Sequence, residues 1–151
     1  STTFANEPVN VQGFNSEDGL QSTPAPKKVV IPTLGIDLEV ERSPIVNGYW
    51  QVYEDKAGWG EGTGYPGQKG NQVIFAHARK GLFLPLQSIK VGENIYILTD
   101  TSWFIYEVYE RKEVSPNQTE VIEPTDEEIL TLYTCSGYED SNRLIVKAKP
   151  I

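Results

Sequence analysis

The sequence predicts a mainly β domain, closed into a barrel with one or two short helical turns. Three observations predict it. Apolar, β-branched and aromatic residues gather in short runs, not in the i, i+3, i+4 spacing of a long helix. Gly and Pro, 13 and 10 of 151 residues, punctuate those runs at close intervals, as turns require. Many short strands parted by turn residues are the pattern of a sheet that closes on itself.

The elements follow in order. Residues 1–26 are expected to be a polar tail or linker, ending in Ser22-Thr23-Pro24-Ala25-Pro26. Phe4, Val9, Val11, Phe14 and Leu20 are more apolar than a spacer requires, so two readings stay open: a juxtamembrane linker, and a segment part of which packs on the domain over its groove. Residues 27–151 are expected to form the barrel. Lys28-Val29-Val30-Ile31 and Ile36-Asp37-Leu38-Glu39-Val40 read as strands joined by Pro32-Thr33-Leu34-Gly35. Asn47-Gly48 signals a hairpin joining residues 43–46 to 49–53. Residues 57–70, rich in glycine, read as a long irregular connection into the run Val73-Ile74-Phe75-Ala76-His77. Pro85 limits the segment after it to a turn or two. Residues 93–98 and 102–111 read as a second hairpin. Thr125-Asp126-Glu127-Glu128 fits a capping box and predicts one helical turn there. Two more strands follow, over residues 129–134 and from Arg143 onward.

Composition bounds the function. One domain of this length buries a sizeable core. A net charge of −8 argues against a nucleic-acid partner, since phosphate binding needs a basic surface. A single cysteine, Cys135, excludes an internal disulfide, and with one histidine the chain lacks a usual zinc ligand set. No apolar run is long enough for a transmembrane helix. The chain has no methionine, so Ser1 is expected to mark processing or excision from something longer. The acidic residues between 117 and 128 could bind Ca²⁺ as a cluster of carboxylates, but they lack an EF-hand pattern and read first as a solvated face.

Three residues carry chemistry. Cys135 closes the run Ile129 to Thr134, His77 closes an earlier run, and Arg143 opens the run Arg143-Leu144-Ile145-Val146. A thiolate is the reactive form of cysteine, and an imidazole can adjust its proton and return one to a leaving amine. A guanidinium stays charged and presents a rigid fork of donors to an oxyanion or carbonyl. The set suits acyl transfer at a peptide bond. The residue types alone also fit a buried structural cysteine and a satisfied histidine. Strand alternation puts Leu130 and Leu132 in the core and turns Cys135 toward a groove. Thr134 is expected to lend its backbone or hydroxyl to the oxyanion.

The longer motifs add to this. Thr131-Leu132-Tyr133-Thr134-Cys135 resembles the Thr-Leu-x-Thr-Cys signature of the sortases. Pro66-Gly67-Gln68-Lys69-Gly70-Asn71-Gln72-Val73-Ile74-Phe75-Ala76-His77 is similar to their Pro-Gly-x-x-Gly-Asn-x-Val-Ile-x-x-His segment. Phe83-Leu84-Pro85-Leu86 with Val91-Gly92-Glu93, and Arg143-Leu144-Ile145-Val146, resemble the stretches that follow each. One departure is Phe75-Ala76, where many members carry a glycine, and it leaves the subclass open.

The resemblance implies a sortase-like closed barrel and a cysteine transpeptidase. Such an enzyme cleaves a sorting signal similar to Leu-Pro-x-Thr-Gly (LPxTG) and passes the acyl group to a cell-wall or pilin amine. It implies Cys135 as nucleophile, His77 as proton carrier and Arg143 as the group holding substrate or oxyanion. It implies no metal or organic cofactor. The partners would be a sorting-signal peptide and an amine of peptidoglycan or pilin. The protein would work outside the cytoplasm at the cell membrane or surface, with an N-terminal anchor removed here. A cysteine hydrolase on the same scaffold and a non-catalytic surface barrel are the rival readings.

Overall fold

A computed structural model of the chain describes residue 9 and residues 24–136 and 141–151. The described residues form ten strands: β1 (Lys28–Ile31), β2 (Ile36–Ser43), β3 (Ile45–Val46), β4 (Tyr49–Trp50), β5 (Ala57–Gly60), β6 (Gly70–Phe75), β7 (Asn94–Leu98), β8 (Trp103–Val114), β9 (Glu128–Ser136) and β10 (Asn142–Pro150). Eight of them close a barrel in the order β1-β2-β5-β6-β9-β10-β8-β7, and β7 pairs back to β1. The predicted closed β-barrel is the fold observed. The helical content among the described residues is three 3-10 turns, at Pro32–Leu34, Leu84–Ser88 and Thr119–Ile122.

Local sequence accounts for the joints. Asn47 and Gly48 both take positive φ, 55° and 83°, as a two-residue hairpin turn between β3 and β4 demands. Pro at the start of the first 3-10 turn and Gly35 at φ 67° after it reverse the chain into β2.

Two expectations are corrected. Residues 57–70 contain a strand, β5, which pairs parallel with β2 and antiparallel with β6. Its glycines are there for close packing. A Cβ on Gly58 would meet the Ser43 hydroxyl and the Phe75 ring, and one on Gly60 would meet the Trp50 ring. The helical turn expected at Thr125 is instead at Thr119–Ile122. Thr125 donates its hydroxyl to Glu127 O at 2.7 Å, and Glu128 already belongs to β9. Its carboxylate accepts from Gly67 N–H at 2.8 Å and Tyr106 O–H at 2.5 Å, so it cannot cap a helix.

Strand alternation produces two apolar layers. Val29, Ile74, Leu130, Leu132, Leu144 and Val146 fill the barrel interior with Trp59 and Tyr106. Val73, Phe75, Tyr133, Cys135 and Ile145 line the outer face of β6, β9 and β10, covered by Trp50, Val114, Val121 and Ile122. Val9 is buried in that outer layer, and Trp50 N–H donates to Val9 O at 3.4 Å. The other apolar residues of the expected tail, Phe4, Val11, Phe14 and Leu20, lie outside the described residues.

Candidate active site

Parallel β6 and β9 pair Phe75 with Tyr133. Two residues farther along each chain stand His77 and Cys135. Contact persists past the end of the β6 ladder: Ala76 N–H donates to Tyr133 O at 3.3 Å, and Thr134 Oγ1 donates to Ala76 O at 2.6 Å. On the other side of β9, antiparallel β10 sets Arg143 opposite Cys135. His77, Cys135 and Arg143 therefore fall in one row across three neighbouring chain segments. Side chains alternate with period 2, so the row shares the outer face with Phe75, Tyr133 and Ile145. Leu132 and Leu144 face inward, as expected.

The row is covered. Cys135 is 2% exposed, His77 6% and Arg143 0%, which corrects the expectation of a cysteine open to a groove. The cover is the apolar layer of Trp50, Val114, Val121, Ile122 and Val9. Desolvation of this kind strengthens charge interactions inside the site.

Backbone partners hold the row in place. Gln87 Nε2 donates to Cys135 O at 3.2 Å, and Arg111 Nη2 donates to Gln87 O at 2.9 Å. Phe83 N–H donates to His77 O at 3.1 Å, which ties the following connection to the histidine. Arg143 Nη1 donates to Asn142 O at 3.1 Å. His77 Nε2 lies 3.5 Å from Glu54 Oε2, while Glu54 Oε1 accepts from Arg79 at 2.9 Å. Arg79 first, then His77, hold the Glu54 carboxyl below its ordinary pKa.

Thr134 requires a correction. Its hydroxyl is committed to Ala76 O, and it alternates with Cys135 along β9. The hydroxyl therefore points away from the row, and only the backbone of Thr134 is near it. Glu54 and Gln87 carried no signal in the sequence. Each is a polar residue in a connecting segment, and only the fold brings it to the row.

A second polar group lies on the same face. Lys147 Nζ donates to Val121 O at 2.8 Å and Thr131 Oγ1 at 3.0 Å. Asn71 Nδ2 donates to Val121 O at 3.1 Å and Glu123 O at 3.0 Å, and Thr131 Oγ1 donates to Asn71 Oδ1 at 2.5 Å. Burial lowers the Lys147 pKa to about 8, with Lys112 acting the same way and Glu110 opposing. A cavity of about 320 Å³ lies between residues 62–71 and 122–125, but none of the three row residues lines it.

Chemically, the row brings together a thiol, an imidazole and a guanidinium, groups able to serve as nucleophile, proton carrier and fixed cation in acyl transfer. Among the described residues, no group of three or more His, Cys, Asp or Glu side chains comes together to hold a metal.

A family model described as the sortase domain matches residues 29–151. Sortase A of Bacillus anthracis is 29% identical over 128 residues, which are 80% of this chain; the chain spans 57% of that protein's length. The structure of a pilus-related sortase C of group B Streptococcus superposes with a TM-score of 0.72 at 26% identity, covering 87% of this chain and 70% of that one. A sortase D5 transpeptidase of Clostridium perfringens superposes with a TM-score of 0.73 at 28% identity, covering 90% of this chain and 86% of that one.

Proposed function

The chain belongs to the sortase family, and on that premise we propose that it is a cysteine transpeptidase acting on an LPxTG-like sorting signal. The observation that carries this reading is the single row formed by His77, Cys135 and Arg143 on the outer face of β6, β9 and β10.

In this reading the Cys135 thiol passes its proton to His77, and the thiolate sulfur attacks the carbonyl carbon of the threonine in the signal. The guanidinium of Arg143, opposite Cys135 across the ladder, steadies the oxyanion or the carbonyl that precedes it. The threonine–glycine C–N bond breaks, and His77 gives the leaving amine its proton. The acyl group is then a thioester on Cys135. An amine of peptidoglycan or pilin attacks that thioester, a new amide forms, and the thiol is released. No step calls for a metal or organic cofactor. Residues 1–26 are the tail and 27–151 the catalytic barrel. The working protein is anchored at the membrane and acts on the extracytoplasmic side.

The test incubates the chain with a Leu-Pro-Ala-Thr-Gly peptide, with and without an added amine, and identifies products by mass spectrometry. The amine adduct of the cleaved peptide is expected. Release to water alone in the presence of amine would make the chain a cysteine hydrolase. Intact peptide, with Cys135 inert to alkylation, would make it a non-catalytic barrel.

A further inference from the structure

The outer face carries a second built feature two rows below the catalytic row. Cys135 and Thr131 are four residues apart on β9, about 13 Å at ~3.3 Å per residue. Thr131 lies beside Val73 on β6 and opposite Lys147 on β10. Above these rows runs the connection from β8 to β9, with its 3-10 turn at Thr119–Ile122. Val121 and Ile122 of this turn pack in the same apolar layer as Cys135, Tyr133 and Phe75. The turn therefore forms an apolar wall packed against the face that carries Cys135.

Two side chains hold that wall by its backbone. Val121 O accepts from both Asn71 and Lys147, and Glu123 O accepts from Asn71. Thr131 links the two donors, accepting from Lys147 and donating to Asn71. Asn71 and Thr131 are buried. A 3-10 turn this short has few internal hydrogen bonds, so these side-chain bonds add to the packing of Val121 and Ile122 in holding it.

We propose that Lys147 is a positioning residue for peptide recognition: with Asn71 and Thr131 it clamps the Val121 carbonyl and so fixes the apolar wall over the Cys135 face. The inference rests on the transpeptidase reading for the peptide and on geometry alone for the clamp. Lys147 works here as a hydrogen-bond donor and not as half of an ion pair. Glu110, its register partner on β8, lies within 3.5 Å of Lys112 Nζ instead. Among the described residues, no carboxylate comes within ion-pair distance of Lys147 Nζ. The lowered pKa of Lys147 fits a donor held under the wall and away from water.

The experiment compares the full chain with Lys147→Met, which keeps most of the stem and removes the donors. Two quantities are read: amide hydrogen exchange over residues 119–123, and KM and kcat for the Leu-Pro-Ala-Thr-Gly peptide. Faster exchange in that segment is expected, with KM raised about five- to tenfold and kcat within about twofold, as loss of a charged hydrogen-bond donor implies. Unchanged exchange overturns the clamp. Faster exchange with unchanged KM, or a fall in kcat alone, overturns the role in recognition. Should Lys147→Met not fold, Lys147→Gln carries the test. It keeps N–H donors on a stem one bond too short, and wild-type exchange and KM in it overturn the proposal. If the unaltered chain turns over no sorting peptide, the transpeptidase reading and the recognition role fall together, while the exchange comparison still decides the clamp.

Discussion

Arg143 stands directly opposite Cys135 across the β9–β10 ladder, fully buried, and its side chain leaves the strand on the same face as the thiol. In the proposed reaction, a cation placed there by register, and not by a flexible loop, would be pre-organised for charge that develops at the carbonyl under attack. Arg143→Lys keeps the charge and loses the planar fork. It is expected to lower kcat/KM about 100-fold or more, read by steady-state peptide turnover. Activity near that of the unaltered chain would reduce Arg143 to a packing or general charge role.

Glu54 bridges His77 and Arg79 through its two carboxylate oxygens. The attraction to His77 that helps lower the Glu54 pKa favours, from the ring's side, the protonated imidazole. Glu54→Gln removes it, so the imidazole should lose its proton at a lower pH. The limb of the kcat/KM profile assigned to the imidazolium is expected to move to lower pH. The shift should be small, because Glu54 is exposed and screened. A limb that stays put, or moves upward, would show that Glu54 does not tune the ring.

Much of this site was legible in the sequence, and the reasons are local. The runs ending at His77 and Cys135 alternate or stay apolar as strands must, so element type and the face of Cys135 relative to Leu132 followed from parity. The Asn47-Gly48 turn followed from its φ demands. Other features depended on tertiary context. β5 was hidden because Gly58 and Gly60 read as loop residues, although they are glycines to admit Ser43, Phe75 and Trp50. The helical turn was misplaced because the carboxylate of Glu128 binds Gly67 and Tyr106 across the barrel instead of capping a helix. The burial of Cys135 could not be read either, since its cover comes from residues remote in sequence, such as Val9 and Trp50.

Lys147 makes folding stability depend on alkaline pH. Its pKa is about 8 in the folded chain against an ordinary 10.5, so between these values the unfolded chain binds more protons. Stability contributed at this site therefore rises as pH increases from about 8 to 10.5. Denaturant unfolding across that range should show the unaltered chain gaining on Lys147→Met. A difference between the two that is flat with pH would mean that the lysine is not shifted in the folded state.

Val9 is buried in the apolar layer over Cys135 and accepts from Trp50 N–H. A chain beginning at Lys27 lacks this cover. Burial of one such side chain is worth ~1.5–3 kcal/mol, so its loss should open the layer measurably. Alkylation of Cys135 is expected to be faster in the shortened chain, with peptide turnover equal or higher. Equal alkylation rates would leave residues 1–26 as a spacer with no part in covering the site.

The most direct test of the central claim is a search for the acyl-enzyme itself. The chain is mixed with a Leu-Pro-Ala-Thr-Gly peptide in the absence of added amine, quenched in acid, digested and analysed by mass spectrometry. The account predicts the acyl mass on the fragment containing Cys135, its loss on addition of an amine, and no adduct or turnover in Cys135→Ala. Peptide cleavage that persists in Cys135→Ala, or an acyl group found on any residue other than Cys135, would contradict it.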